Sequence, residues 1–309
     1  LLRTADGAIV TIRHTLLPSP YPRIQFEEAV DIQRSFNSLF LRVASDYEFM
    51  ESTFKPLSAA NASPPTTSCL LLSAPRSVEK LRGCPSATRF GSAIARAVEE
   101  YVKSSAHLQR TCLPAVLMVV SENETNIYDQ RSIEEAMLCA NVALRLLRRT
   151  FAELGESARR VVVEESTGRL FVDGHEVALV YYRTGYAPHH FDEEAWQTKL
   201  RLERSLAIKC PSIDYLLANM KLVQTALAAG STSLSRFGVS VGTAERLAAA
   251  FARQTVLSTD FNFADPVVIE KMVDECRRGP DKFVLKPQRE GGGNNVFGGE
   301  TTGTCLVTL

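Results

Sequence analysis

The sequence predicts an α/β protein, and three observations carry that prediction. A compact apolar run at residues 115–120 is typical of a buried strand, and a polar loop and a periodic helix follow it. Residues 169–182 form two alternating arms about Asp173 and Gly174, which predicts a hairpin. A third short apolar strand, at residues 283–285, leads into a glycine-rich loop. Successive strand, loop and helix segments are the units from which α/β folds are built.

Composition narrows the classes of function. The 309 residues include 35 basic and 35 acidic side chains, which argues against nucleic acid as a main partner. No apolar run approaches the ~18 residues needed to cross a bilayer, so no membrane partner is expected. The 7 cysteines are scattered without a Cys-x-x-Cys pair, and we interpret them as reduced thiols of a cytoplasmic protein. Since the chain starts at Leu1 and stops soon after the glycine loop, we expect both ends to be truncated.

The first third of the chain is predicted to be mainly helical. Aromatic and aliphatic residues recur at a helical period over residues 24–54, which predicts one or two amphipathic helices with those side chains in the core. Residues 55–88 are rich in Pro, Ser, Ala and Thr, which favours a linker. A helical pattern returns at residues 90–102.

The loop after the strand at 115–120 is a candidate recognition site. Ser132 and Glu135 are spaced as a capping box, and one helix face is predicted to carry Ile133, Met137, Ala140, Leu144 and Leu147. Loops at the carboxyl ends of strands commonly bind ligands in α/β proteins. Asn126, Asp129 and Gln130 are therefore placed for polar recognition, although the loop taken alone favours a solvated loop with an Asx turn and a helix N-cap.

A second candidate follows the hairpin. Arg183 stands at the predicted strand end, where a guanidinium can grip a carboxylate or phosphate at two points, and Gly185 frees the backbone to turn. His189 and His190 have no ligand at metal spacing and are interpreted as surface loop residues. A helix is predicted from residues 192–194, with Trp196 as a packing anchor, and another from residues 213–228. Lys221 lies on that second helix.

The glycine loop is the main chemical signal. Gly291, Gly292 and Gly293 allow backbone N–H groups to approach an anion, while Lys286 and Arg289 are suited to polyphosphate and Glu290 to Mg²⁺. The motif is neither a Walker A loop nor a dinucleotide fingerprint. A simple glycine hairpin with incidental charges is the alternative to a Mg-nucleotide site.

The string KPQREGGGNN at residues 286–295, with an aromatic residue two positions later, resembles the ATP loop of eukaryotic glutathione synthetases, which are ATP-grasp ligases. NIYDQR, RLFVDG, YYRTGY, RLERS and AIKCPSI, at residues 126–131, 169–174, 181–186, 201–205 and 207–213, also resemble that family. The resemblance implies a partial ATP-grasp ligase with a parallel-sheet substrate domain. Its parts would be a helical part of the ATP-grasp body at 1–54, a linker or divergent segment at 55–88, a joining helix at 89–112, the α/β substrate domain at 113–210, and helices with the ATP loop at 211–309.

The resemblance also implies a function and a set of site residues. The family joins γ-glutamylcysteine to glycine with ATP and Mg²⁺, as a homodimer. Arg183 is the implied catalytic residue. The implied ATP contacts are Lys221, Lys286, Gly291, Gly292, Gly293, Asn295 and Phe297, with Glu290 on the metal. The implied substrate contacts are Asn126, Gln130, Arg183, Gly185 and Tyr186.

Two departures from the family pattern bear on activity. Residues 55–88 do not match the family's stretch with a substrate arginine and a Glu-Ile-Asn string, and the family's lid segment would follow where this chain stops. We therefore expect little or no turnover from these 309 residues. An inactive remnant of the ligase and an ATP-grasp ligase for another carboxylate are the alternatives.

Overall fold

The computed structural model describes residues 2–3, 9–10, 23–59, 69–72, 86–110, 112–122, 124, 126–155, 160–286, 288 and 295–299. The elements of the first half are β1 (Leu2–Arg3), β2 (Ile9–Val10), α1 (Arg23–Ala44), α2 (Tyr47–Ala59), β3 (Cys69–Leu72), α3 (Ser86–Ser104), β4 (Ala115–Val119), α4 (Ile127–Ala140), β5 (Leu146–Arg149) and α5 (Phe151–Gly155). Those of the second half are β6 (Val161–Val163), β7 (Leu170–Val172), β8 (His175–Tyr182), α6 (Glu193–Arg204), β9 (Ile208–Cys210), α7 (Ile213–Ala218), α8 (Lys221–Leu227), α9 (Ser231–Ser235), α10 (Val241–Ala250), α11 (Pro266–Arg278), β10 (Phe283–Lys286) and β11 (Val296–Phe297).

The chain divides into two compact units. The first unit comprises residues 1–18 and 80–213, and the second comprises residues 19–79 and 214–309. Among the described helices of either unit, none is both long and apolar enough to cross a bilayer.

The first unit is built on a six-stranded sheet in the order β5-β4-β8-β7-β6, with β9 alongside the second half of β8. The strands β5, β4, β8 and β9 are parallel, whereas β6, β7 and the start of β8 are antiparallel. One face packs on α5 and α6 through residues such as Phe151 and Leu202, and the other on α3 and α4 through residues such as Val98 and Met137. The predicted α/β class is confirmed, with an antiparallel extension to the sheet.

A buried ion pair ties helix α3 to the sheet of the first unit. The guanidinium of Arg110 donates to the Glu176 carboxylate at 2.9 and 3.0 Å, and the Tyr101 hydroxyl donates to the same carboxylate at 3.0 Å. Burial, and after it the neighbouring Glu176, raises the pKa of Tyr101 to about 12. Pairing satisfies the buried charges, as isolated charges in an apolar interior are costly.

The second unit combines helices with a small sheet. Helices α1, α2 and α7 to α10 share one core, which includes Leu39, Val43 and Leu247. Strand β10 pairs antiparallel with both β3 and β11, and α11 packs on this sheet through Met272 and Val273.

Several local predictions are confirmed, and the hairpin is the clearest. Asp173 and Gly174 both have positive φ, 49° and 77°, as a two-residue type I′ turn requires. The helices predicted at 24–54 form as α1 and α2, that at 90–102 as α3, and the carboxylates at 192–194 do begin α6, with Asp192 as its N-cap.

Other local predictions are wrong, and tertiary pairing explains most of them. The helix after β4 ends at Ala140, so Leu144 lies in the following loop and Leu147 in strand β5. Its N-cap is Asn126, not Ser132. The helix predicted at 213–228 is two helices, α7 and α8. Residues 69–72, within the predicted linker, form strand β3.

Candidate functional site

The carboxyl ends of three parallel strands meet at one edge of the first unit's sheet. Strand β4 lies between β5 and β8, and the ladder continues past Tyr182, where the Arg183 N–H donates to the Val119 carbonyl at 2.9 Å. Helix α4 leaves β4 on one face and α6 leaves β8 on the other. Ligands of open α/β sheets bind at such a switch point.

The loop after β4 arranges three polar side chains on the α3/α4 side. The Asn126 side chain caps α4 by accepting from the Asp129 N–H at 3.4 Å. One oxygen of Glu124 accepts from the Asn126 N–H at 2.8 Å, and the other accepts from the Gln130 side-chain amide at 2.8 Å. The prediction that Asn126 caps the helix is thus confirmed, since its side chain accepts from a backbone N–H of the first turn. Gln130, however, is fully buried and is held by Glu124 rather than solvated.

Several polar atoms near this edge are buried without a hydrogen-bond partner among the described residues. They include the Gln130 Oε1, the Arg183 Nε and the Tyr182 hydroxyl. Side chains alternate along β8: Val180 and Tyr182 pack toward α5 and α6, and Tyr181 packs toward α3 and α4. Arg183 lies two residues after Tyr181, so its side chain points to the same face of the sheet, the α3/α4 side where Gln130 lies. An amide acceptor, a guanidinium and the Glu124 carboxylate can together bind a zwitterionic amino-acid group.

Gly185 is needed for the shape of the turn after β8. Its φ is +83°, and a Cβ built on it would lie 2.9 Å from the Phe151 ring and 3.2 Å from the Phe191 ring. Tyr186 follows on the surface, 49% exposed, where its side chain is accessible to a ligand. As predicted, Gly185 adopts a backbone conformation that other residues rarely take. The absence of a side chain also lets two aromatic rings approach the backbone.

A cavity of about 560 Å³ opens on the opposite, α5/α6 side of the same edge. Thr184, which alternates with Arg183, lines it, and so do Ser121, Glu122, Thr150, Asp192 and Glu194. The edge thus presents different chemistry on its two faces, with the cation on one and mainly carboxylates and hydroxyls on the other.

A buried lysine supports the strand end that carries Arg183. Lys199 Nζ lies 3.1 Å from the centre of the Tyr182 ring and 2.8 Å from the Glu203 carboxylate. Burial lowers the pKa of Lys199, while burial and the nearby Glu203 raise the pKa of Tyr182. These contacts fix Tyr182, and with it the direction of the chain into Arg183.

In the second unit, a glutamine links the two segments that carry the predicted ATP-contacting lysines. The Leu222 N–H, in the first turn of α8, donates to the Gln288 Oε1 at 2.6 Å. Lys221 precedes Leu222, and Lys286 ends β10 two residues before Gln288, so this contact ties the backbones that carry both lysines. The Lys221 Nζ lies 3.1 Å from the Gln224 Oε1. Two cations held in this way suit a polyphosphate.

The glycine loop itself, with Glu290, Gly291, Gly292 and Gly293, lies outside the described residues. Its flanking strands β10 and β11 pair antiparallel, with Val284 opposite Phe297. Asn295 precedes β11, and Phe297 is 61% exposed. Among the residues that the structure describes, no group of three or more His, Cys, Asp or Glu side chains is placed to hold a metal.

The sequence does not indicate the roles of three residues at these sites. Glu124 and Gln288 hold groups on or next to the predicted site residues, and the ring of His190, predicted as a surface residue, accepts hydrogen bonds from the turn after β8. Glu124 and Gln288 adjoin motifs that were recognised, and that proximity was the available signal. For His190, nothing in the sequence indicates which backbone groups the ring contacts.

The fold and comparisons with known proteins place the chain among the ATP-grasp-type α/β ligases. The model described as "Eukaryotic glutathione synthase" matches residues 114–218, and that for the "Eukaryotic glutathione synthase, ATP binding domain" matches residues 3–63. Glutathione synthetase of Xenopus laevis is 34% identical over 92% of this chain and 69% of its own length. The chain belongs to the eukaryotic glutathione synthetase family.

Other relatives agree with this assignment. The bovine and human glutathione synthetases are 39% and 41% identical over 67% and 60% of this chain. The chain spans only 40% and 36% of the length of those two relatives in the alignments. A solved structure of a glutathione synthetase-like effector from Globodera pallida, in its apo form, has a TM-score of 0.63 and covers 100% of this chain and 74% of that one. At 18% identity this likeness supports the fold alone.

Proposed function

We propose that the protein is a glutathione synthase, which joins γ-glutamylcysteine to glycine with ATP and Mg²⁺, and that it acts as a cytoplasmic homodimer. Family membership supports the reaction class. The observation that carries the assignment of this site is a pair of buried atoms without a described partner, the Gln130 Oε1 in the first turn of α4 and the Arg183 Nε just after β8. A buried polar group without a partner costs free energy that a bound ligand can recover.

The first unit would bind the amino-acid end of the dipeptide. Gln130 would accept from its ammonium group and Arg183 would donate to a carboxylate, while Glu124 keeps the Gln130 amide in place. Asn126 and Tyr186 would add polar contacts from the cap of α4 and from the turn after β8. Arg183 takes part in catalysis by fixing the substrate's orientation, which is where much of a ligase's rate acceleration arises.

We infer a polyphosphate site in the second unit, because the Leu222 N–H donates to the Gln288 side-chain oxygen and so links the segments that carry Lys221 and Lys286. Bound ATP would supply the phosphoryl group that turns the unreactive carboxylate into an acyl phosphate, with release of ADP. The glycine amine would then attack the acyl carbon, expel phosphate and lose a proton as the amide forms. Lys221 and Lys286 would neutralise charge on the phosphate oxygens, and the amides of Gly291, Gly292 and Gly293 would do the same. Glu290 would hold Mg²⁺, Asn295 would contact phosphate, and the exposed Phe297 ring would pack on adenine.

The test combines a substitution with a matched control. Arg183→Met should weaken binding of γ-glutamylcysteine about 10- to 100-fold, since a hydrogen bond to a charged group contributes about 1.5–3 kcal/mol. Arg145→Met is the control, because Arg145 precedes β5 at the opposite edge of the same sheet. Isothermal titration calorimetry measures both. Equal affinities in the two variants, or no binding to the unmodified protein, would contradict the proposed site.

The reaction is tested separately. Phosphate release that requires γ-glutamylcysteine and glycine together supports the proposed activity. Release with other carboxylates and not with this pair would instead identify a ligase of different specificity.

A further inference from the structure

Three successive backbone N–H groups converge on one atom in the turn after β8. The N–H groups of Gly185, Tyr186 and Ala187 donate to the Nδ1 of His190, at 3.1, 3.4 and 3.3 Å. Such a concave set of N–H groups usually surrounds an anion. Here the Nδ1 lone pair of His190, from the same loop, occupies the position that an anion would take.

This geometry fixes the chemical form of the ring. An Nδ1 that accepts hydrogen bonds carries no proton, so the ring is neutral and its proton is on Nε2. Protonation of Nδ1 would remove the lone pair and set an N–H against three others. The turn, as it stands in the structure, therefore depends on an uncharged His190.

The ring also contacts the side chain that this turn presents. The Tyr186 ring meets the His190 ring edge to face, with centres 4.6 Å apart, and the His189 ring lies 4.3 Å away. The charged groups that line the cavity beside His190 are Glu122 after β4 and Asp192 and Glu194 at the start of α6. These carboxylates favour a protonated imidazole, whereas the three N–H donors oppose it.

We propose that neutral His190 is a positioning residue, which holds the turn at residues 185–187 and so places Tyr186 and the Gly185 backbone against the substrate. The proposal rests on the proposed function, in which this turn contacts γ-glutamylcysteine. Arg183 does not depend on it, because the sheet ladder holds the Arg183 backbone through Val119. Substrate affinity should then fall as the pH is lowered and His190 takes up a proton.

The test uses two substitutions of His190, one that keeps a hydrogen-bond acceptor without the ring and one that keeps a ring without the acceptor. His190→Gln keeps an oxygen that can accept from the turn but cannot titrate, and His190→Phe keeps an aromatic ring without an acceptor. His189→Gln is the matched control at the neighbouring position. Affinity for γ-glutamylcysteine is measured by calorimetry from pH 7.5 to 5.5.

The expected results differ for each protein. The unmodified protein and His189→Gln should lose about tenfold in affinity over this interval, since losing the anchor of the turn is comparable to losing one net hydrogen bond. His190→Gln should bind at the pH 7.5 level throughout, and His190→Phe should bind about tenfold more weakly throughout. An unchanged pH dependence in His190→Gln would overturn the proposal.

Nuclear magnetic resonance tests the positioning without any substrate. With 5 histidines in the chain, ¹⁵N labelling should resolve His190 as the Nε2–H tautomer at pH 7.5. Amide exchange at residues 185–187 should be faster in His190→Phe than in His190→Gln. An Nδ1–H tautomer, or equal exchange in both variants, would overturn the proposal even if γ-glutamylcysteine fails to bind. Failure to bind, with the expected tautomer and exchange, would count only against the proposed function.

Discussion

Replacing Gly185 with alanine would perturb the turn after β8 in two separable ways. The backbone at this position has φ +83°, which costs a residue with a Cβ about 1–2 kcal/mol. The new methyl group would also lie 2.9 and 3.0 Å from two atoms of the Phe151 ring and 3.2 Å from Phe191. Forcing extra volume into a packed region costs about 1–3 kcal/mol more. Gly185→Ala should therefore destabilise the first unit by about 2–5 kcal/mol.

Gly174→Ala is the matched control, because it imposes the backbone cost alone. Its φ is +77°, nearly that of Gly185, and nothing lies within 4 Å of the position that a Cβ would take. The control should lose about 1–2 kcal/mol. The difference between the two variants measures the packing of Phe151 and Phe191 on the glycine.

Urea unfolding followed by tryptophan fluorescence measures both variants. Trp196 is the only tryptophan in the sequence, and its ring stacks on Phe191 with centres 3.9 Å apart. The signal thus reports on the first unit, whichever way the second unit unfolds. If Gly185→Ala and Gly174→Ala lose the same free energy of unfolding, the argument from ring packing is refuted.

Three further predictions concern buried or anchoring polar groups. Since the pKa of Tyr101 is raised to about 12 from its ordinary value of 10, its stabilising effect is complete below pH 10. About 2–3 kcal/mol should be lost as the pH rises from 10 to 12; Tyr101→Phe should show a smaller loss in urea titrations over that range, and an identical loss would contradict the assignment. Glu176→Ala should cost about 3–5 kcal/mol because it leaves the Arg110 charge buried and unpaired, whereas Glu176→Met with Arg110→Met should cost less than the sum of the single changes in the same assay. Gln288→Ala should weaken binding of a fluorescent ATP analogue by several-fold, since a lost helix cap costs about 1 kcal/mol, while Gln197→Ala on the exposed face of α6 should leave the affinity unchanged.

The elements that local sequence specifies were predicted well. The hairpin at Asp173 and Gly174 needs two residues that tolerate positive φ, and the Asp-Gly pair signals this directly. Strand β4 is a pure apolar run that is buried on both faces, as central parallel strands are. Helix α1 follows a regular period over 22 residues.

The elements that were missed owe their form to distant partners. Leu144 and Leu147 continue the helical period of α4, but pairing with β4 makes residues 146–149 a strand. Residues 69–72 are extended because they pair with β10, more than 200 positions further along the chain. In each case sheet pairing overrides a local pattern, which a single sequence does not reveal.

The candidate site shows the same contrast: local sequence indicates the recognition residues, and contacts distant in sequence decide how they are held. Asn126, Gln130 and Arg183 were predicted as recognition residues from their side-chain types. The structure places Asn126 at the N-cap of α4, Gln130 in the first turn of α4 and Arg183 just after β8. Their roles stay predictions. The groups that orient them are set by three-dimensional contacts: Glu124 holds Gln130, Lys199 supports Tyr182 beside Arg183, and Gln288 links the segments of Lys221 and Lys286.

Arg183 and Thr184 point to opposite faces of the sheet. The number of residues in the preceding hairpin arm, strand β8, therefore decides which face carries the guanidinium. Deleting a single residue between Asp173 and Tyr182 would shift the register of the strand end by one residue, and each later side chain would move to the opposite face of the sheet. The Arg183 guanidinium would then face the carboxylate-lined cavity, and Thr184 would face Gln130. Gln130, Arg183 and Thr184 would all survive such a deletion, and the recognition face would still be lost. Insertions and deletions in β8 should therefore abolish substrate binding more completely than most point substitutions at the contact residues themselves.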